Sequence, residues 1–269
     1  MFHMKDVITA FSNTALMKTN ALSTNKGKYL VGAMLAGFFV GLGIILIFTI
    51  GGMLAPTDFA GTKIIMGVSF GIALSLVIMA GADLFTGNNM VMTIGMLENK
   101  VTWKDTGKVW GFSYLGNFIG SIIVALLFSY SGLAVGGIAD FITHGAEAKM
   151  NAPFMELLIR GILCNILVCL AVWSSVKLKD ETAKLIMIFW CLFAFITSGF
   201  EHSVANMTLM SIALIIPHPE TVSIGGMFAN LLPVTIGNII GGAVFVGAAY
   251  WYNISEKTQA VVKSFKKEA

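Results

Sequence analysis

Residues 81–88 read GADLFTGN and residues 199–206 read GFEHSVAN. The two segments share a glycine, an acid and an asparagine in register, 118 residues apart (199 against 81), and each interrupts a long apolar run. The register sets Asp83 over Glu201, Leu84 over His202 and Asn88 over Asn206. A charged residue at membrane depth costs roughly 2.5–3.5 kcal/mol even on lenient insertion scales, so two matched interruptions need a functional cause.

Two further blocks recur in the same order. LGNFIGS at 115–121 matches IGNIIGG at 236–242, setting Asn117 over Asn238. A weaker match pairs LAGFFVGLG at 35–43 with IRGILCNIL at 159–167, setting Gly37 over Gly161. Three spans in each half would turn the second half upside down relative to the first, because an odd number of crossings reverses direction. The expected fold is an all-α membrane protein of six transmembrane spans, two inverted three-span repeats with spans 2 and 5 broken.

Composition agrees with a chain that lives in lipid. Hydrophobic residues make up 57% and charged residues 12% of the 269 positions, and the mean hydropathy is +0.84. A soluble domain of this length does not need such a balance. Charges bound six apolar stretches: 29–57, 64–97, 109–139, 161–176 with a lead-in from 152, 185–217 and 221–255. Each is long enough for a helix to span a bilayer, which takes about 20 residues. A cytoplasmic segment over 1–28, a channel domain over 29–255 and a cytoplasmic tail over 256–269 follow as the expected division.

Stretches two and five are too long for one helix and hold the polar blocks. A half-helix ending at Met79, a loop over 81–87 and a second half-helix starting near Gly87 or Asn88 fit the first, with Thr86 or Asn88 as the capping type. The second divides into a loop over 199–204 and a helix from Ala205. Each second half-helix would begin in mid-membrane with its free amides and positive dipole end facing the break, a geometry that favours an anion.

Basic residues set the orientation. Of the 17 lysines and arginines, the segments counted as inside from a cytoplasmic N-terminus hold all but Lys63, Lys149 and Arg160, so both termini are expected in the cytoplasm of a multi-pass inner-membrane protein. No cleavable signal peptide is expected, since the first apolar run begins near residue 30 and Asp6 precedes it. The basic residues are dispersed over inner loops and tails, which is not the footprint of a nucleic-acid binder. Residues 5–21 carry Val7, Ile8, Phe11, Ala15 and Leu16 at helical spacing, consistent with an amphipathic helix on the inner membrane surface or with a solvated tail.

Cys164, Cys169 and Cys191 all fall in apolar spans with no CxxC pair, and read as buried structural thiols. His202 alone among the four histidines lies at membrane depth, and no second histidine or cysteine stands at ligand spacing to it, so neither a metal nor another cofactor is expected. A water or glycerol channel would share the half-helix plan, but Asn88 and Asn206 are followed by Asn89 and Met207 where that class has Asn-Pro-Ala turns. An ammonium channel would pair two histidines at depth. A membrane enzyme lacks any nucleophile or metal constellation here.

GADLFTGN, GILCNILVCLA at 161–171 and FEHSVAN resemble, in order and spacing, the signature segments of the formate/nitrite transporter family. The likeness runs from about residue 7 to 253, and the chain looks closest to the clostridial hydrosulfide channels. The resemblance implies an aquaporin-like protomer in a homopentamer, each protomer with its own pore for a small monovalent weak-acid anion: formate, nitrite or hydrosulfide. It implies that Phe70, Leu74, Leu84, Phe85 and Phe195 form two apolar constrictions. Thr86, Asn165 and His202 would lie between them, with Glu201 behind the histidine, Lys149 near the outer vestibule and Lys18 at the inner mouth.

By residue type alone, the five apolar positions are ordinary packing residues, and Asn165 could be glue between helices. Asp83 and Glu201 read best as acceptors for amides in the breaks, since an acid facing the conduit would repel an anion. A lone imidazole beside a carboxylate at membrane depth points to a pore role for His202. Lys149 is a loop cation that would concentrate anions if its loop feeds a pore.

Overall fold

The structure, a computed structural model, describes residues 3–254. The expected tail over 256–269, with Lys257, Lys263, Lys266 and Lys267, lies outside the described residues. Every regular element among the described residues is helical. The chain opens with α1 (Met4–Thr24) and α2 (Lys26–Leu54); the Asn25 side chain accepts from the Lys28 N–H and starts α2. Then come α3 (Thr62–Ser69) and α4 (Gly71–Met79), joined through Phe70, and α5 (Phe85–Leu97) after a break. In α6 (Trp103–Tyr130), Thr102 and Asp105 close a capping box at the start. Next are α7 (Gly136–Met150), α8 (Phe154–Lys177), α9 (Glu181–Thr197), a second break, and α10 (Ser203–Ile215). Last, α11 (Ile224–Ile240) runs through a π-helical stretch, Gly241–Ala248, into α12 (Ala249–Ile254).

Five segments among the described residues are long and apolar enough to cross a membrane: Lys26–Thr57, Thr62–Met79, Trp103–Tyr130, Phe154–Lys177 and Ile224–Ile254. The stretch 185–217 contains no such helix, because its 17-residue α9 and 13-residue α10 are separated by the break. The core is built from crossings in which backbones touch. A Cβ on Gly37 of α2 would lie 1.9 Å from the Asn117 carbonyl oxygen of α6, and one on Gly161 of α8 would lie 2.8 Å from the Val234 carbonyl oxygen of α11. Only glycine permits this approach, the usual way helices pack where lipid offers no hydrophobic drive. The two glycines, Gly37 and Gly161, are the pair aligned in the sequence.

The amphipathic spacing of residues 5–21 forms α1, whose Val7, Ile8, Phe11 and Ala15 are buried. The Phe11 and Trp173 rings meet at 5.4 Å, and Ala15 sits over Gly95 of α5. This face of α1 is spent on protein, not on a membrane surface. Leu16, grouped with the apolar face from the sequence, points outward at 37% exposure.

Candidate functional site

Both polar blocks are breaks, and the same bonds build each. At the first, Gly81 takes φ +76° and at the second Gly199 takes φ +74°, left-handed conformations that glycine adopts without a Cβ penalty. After each turn the acid's own N–H is tied to a neighbouring helix: Asp83 N–H donates to the Gly32 carbonyl at 3.1 Å and Glu201 N–H to the Arg160 carbonyl at 3.2 Å. One buried asparagine then clamps each loop. Asn117 Nδ2 donates to the Ala33 and Asp83 carbonyls while its Oδ1 accepts from Phe85 N–H at 2.9 Å. Asn238 Nδ2 donates to the Gly161 and Glu201 carbonyls while its Oδ1 accepts from Ser203 N–H at 2.9 Å.

The breaks are shorter than the sequence reading expects. Helix α5 starts at Phe85 with Leu84 as its N-cap, and α10 starts at Ser203 with His202 as its N-cap. Residues 85–87 and 203–204 are therefore helical, and neither Thr86 nor Asn88 caps. The reason is long-range: Asn117 supplies the acceptor for the first free amide of α5, so no local capping side chain is required. Asn117 and Asn238 were visible in the sequence as partners in the LGNFIGS/IGNIIGG repeat, but nothing local marked them as the clamps.

The two N-caps, Leu84 and His202, line one cavity of about 10 Å³ together with Phe70, Leu74 and Phe195. Val40, Ala73, Val168 and Leu192 complete its wall. That volume is about what one water requires. The Phe70 and Phe195 rings meet edge to face at 5.5 Å, and Phe195 stacks on the His202 ring at 6.0 Å. His202 Nδ1 accepts from Ala205 N–H at 3.2 Å, and its Nε2 lies 3.1 Å from Thr86 Oγ1. With Nδ1 used as an acceptor, the neutral ring carries its hydrogen on Nε2 and donates it to Thr86. The one polar side chain lining the slit is thus His202, with Thr86 bonded to its ring from outside the lining.

Two of the expected site residues, Asn165 between the constrictions and Phe85 at one of them, are engaged elsewhere. Asn165 Nδ2 donates to the Thr86 carbonyl at 3.1 Å, to Asn89 Oδ1 at 3.1 Å and to the Asn238 carbonyl at 2.6 Å. It ties α5 to α11 and is absent from the cavity lining, which favours the helix-glue reading. The Phe85 ring packs edge-on against Tyr114 at 4.9 Å and also stands apart from that lining.

The acids turn to cations. Asp83 accepts from Lys18 Nζ at 2.6 Å, from the Tyr29 hydroxyl at 2.9 Å and from Asn88 Nδ2. Glu201 accepts from Lys149 Nζ at 2.6 Å and from Asn206 Nδ2 at 2.6 Å; Asn206 is steadied by Asn230, which in turn donates to the Lys149 carbonyl. The sequence reading missed Tyr29 and Asn230, since neither falls in a repeated block. On the Lys149 side opens a vestibule of about 590 Å³, and on the Lys18 side one of about 200 Å³ that shares Leu74 and Leu84 with the central cavity.

Chemically, this is an apolar slit with a chamber on either side, each bordered by a lysine. Because both N-caps face the slit, the positive ends of α5 and α10 point into it. An ion stripped of water there would face an apolar wall, two helix N-termini and the imidazole of His202.

Comparison with known proteins follows the same lines. Residues 5–252 match the family described as formate/nitrite transporter. The nitrite transporter NirC of Escherichia coli (strain K12) is 42% identical over 264 residues, covering 97% of this chain and 96% of that protein. A solved FNT family ion channel superposes with TM-score 0.89 at 41% identity, covering 93% of this chain and 99% of its own. A pentameric formate channel with formate bound superposes with TM-score 0.74 at 29% identity, covering 84% of this chain and 96% of its own.

Proposed function

The chain belongs to the formate/nitrite transporter family, and on that premise we propose that it conducts small monovalent weak-acid anions through the slit between its two breaks. One observation carries this reading: the two half-helix N-caps, Leu84 and His202, line a single cavity that Phe70, Leu74 and Phe195 narrow to about one water. A bare anion in such a slit faces a desolvation cost of up to tens of kcal/mol in the Born limit, and the neutral acid far less. The protein lowers that cost in three ways. Lys149 and Lys18 raise the local anion concentration in the vestibules, the ends of α5 and α10 offer positive potential, and His202 with Thr86 offers a proton or a strong hydrogen bond at the narrowest point.

The substrates that fit are hydrosulfide, formate and nitrite. Relatives named for nitrite and formate support the last two; hydrosulfide rests on the resemblance read from the sequence alone. In this reading the two halves are inverted three-span repeats in an aquaporin-like protomer, and the matched clamps by Asn117 and Asn238 support it. Five protomers assemble in the cytoplasmic membrane, as the pentameric solved relative suggests, surrounded by lipid. Both termini face the cytoplasm, with the segment 1–28 over the inner mouth, the channel over 29–255 and a tail beyond it. Asp83 and Glu201 anchor their lysines and their loops, and Asn165 braces α5 against α11.

A flux panel on the full chain in liposomes tests the proposal. Formate, nitrite and hydrosulfide should pass, acetate more slowly, with reversal potentials that follow the anion gradient. Swelling driven by water or glycerol with no anion flux, or reversal that follows an ammonium gradient, would replace it with one of the rival channels.

A further inference from the structure

The chamber on the Lys149 side is larger than a small anion needs. At about 590 Å³ it falls in the range of about 300–1,000 Å³ typical of sites for small organic molecules. Its wall is aromatic: Phe48, Phe59, Phe141 and Phe200 line it, and the Phe48 and Phe141 rings meet at 5.6 Å. Gly145, also in the lining, keeps that wall open, since a Cβ there would approach the Phe48 ring to 2.8 Å.

Its charge comes from separate elements. Lys63 stands in the first turn of α3, His144 and Lys149 on α7, and Arg160 on α8, facing the carboxylates Asp58 and Glu201. Glu201 is taken by Lys149, and Arg160 is bonded to Glu156 outside the chamber. Among the described residues no ion pair holds Lys63. An aromatic box with an available ammonium complements a ligand that has a flat apolar body and one negative charge. The slit beyond, about 10 Å³, is too narrow for such a body.

We propose that this chamber binds aromatic monocarboxylates of the benzoate class, with the ring against Phe48, Phe59 and Phe141 and the carboxylate towards Lys63. The ligand enters from the side of small substrates, cannot follow them, and so competes with them. Its effect on flux rests on the channel reading given above, whereas its binding does not.

The full chain in nanodiscs of zwitterionic lipid is titrated calorimetrically with benzoate and, as the uncharged isostere, benzamide; formate flux in proteoliposomes is then measured with benzoate on either side. Benzoate should bind saturably, one per chain, and benzamide at least tenfold more weakly. Lys63→Gln should weaken benzoate roughly fivefold, in line with one exposed charge contact. Lys63→Arg should retain it, and Phe59→Ala should weaken benzoate and benzamide alike. Benzoate should inhibit formate flux only from the Lys149 side. Equal binding of benzoate and benzamide, unchanged affinity in Lys63→Gln, or formate flux in a protein without saturable benzoate binding would each overturn the proposal. Benzoate binding in a protein that conducts no anion would keep the site and sink the channel reading instead.

Discussion

At the residue scale the slit is defined by a few side chains with separable jobs. Leu84 is both an N-cap and a wall, and its loss of one methylene in Leu84→Val should cost about 1 kcal/mol of stability while widening the passage. The acetate-to-formate flux ratio should rise; an unchanged ratio would mean that Leu84 does not limit passage. Thr86→Ala removes the partner of His202 Nε2, a loss of about 1 kcal/mol or about a fivefold fall in flux, read from initial rates in proteoliposomes. The sequence made His202 conspicuous because a lone imidazole at membrane depth is rare. It gave a weaker account of Asn165 and Phe85, since a buried asparagine that braces helices and one that faces a pore have the same local sequence. Only the three acceptors around Asn165 Nδ2 separate the two readings.

The elements follow from repetition more than from propensity. Two glycine-led interruptions in apolar runs were enough to locate both breaks, yet their ends were placed two or three residues late. Capping types at Thr86 and Asn88 suggested a local solution, while the structure satisfies the first amide of each half-helix from a distant asparagine. Asn117→Ala and Asn238→Ala should therefore behave as a pair, each leaving buried loop groups without partners and lowering stability by about 1–3 kcal/mol. Thermal unfolding in detergent checks this; two variants as stable as the parent chain would mean the loops hold themselves. Gly37→Ala should fail more severely, because its Cβ would sit 1.9 Å from a backbone oxygen that cannot step aside. Loss of folded protein on size-exclusion chromatography is the expected result.

For the whole molecule, hydropathy made a helical membrane protein legible, and two of the matched blocks made the breaks and the paired asparagines that clamp them legible. The docking of α1 against α5 was not, because an amphipathic face reads the same whether it meets lipid or protein. In the proposed mechanism an anion crosses the slit with help from the titratable edge of His202. His202→Asn isolates that claim: asparagine is also a strong N-cap type, so α10 keeps its start while the ring that can take and give a proton is gone. The decisive measurement is the charge moved per formate in proteoliposomes, recorded for both proteins across a pH series. The parent chain should show weak-acid flux with fewer than one net charge per anion and a clear pH dependence, and His202→Asn a shift towards simple anion conductance, or no flux. Identical rates, stoichiometry and pH profile in the two proteins would contradict the mechanism and leave His202 as a cap and a wall.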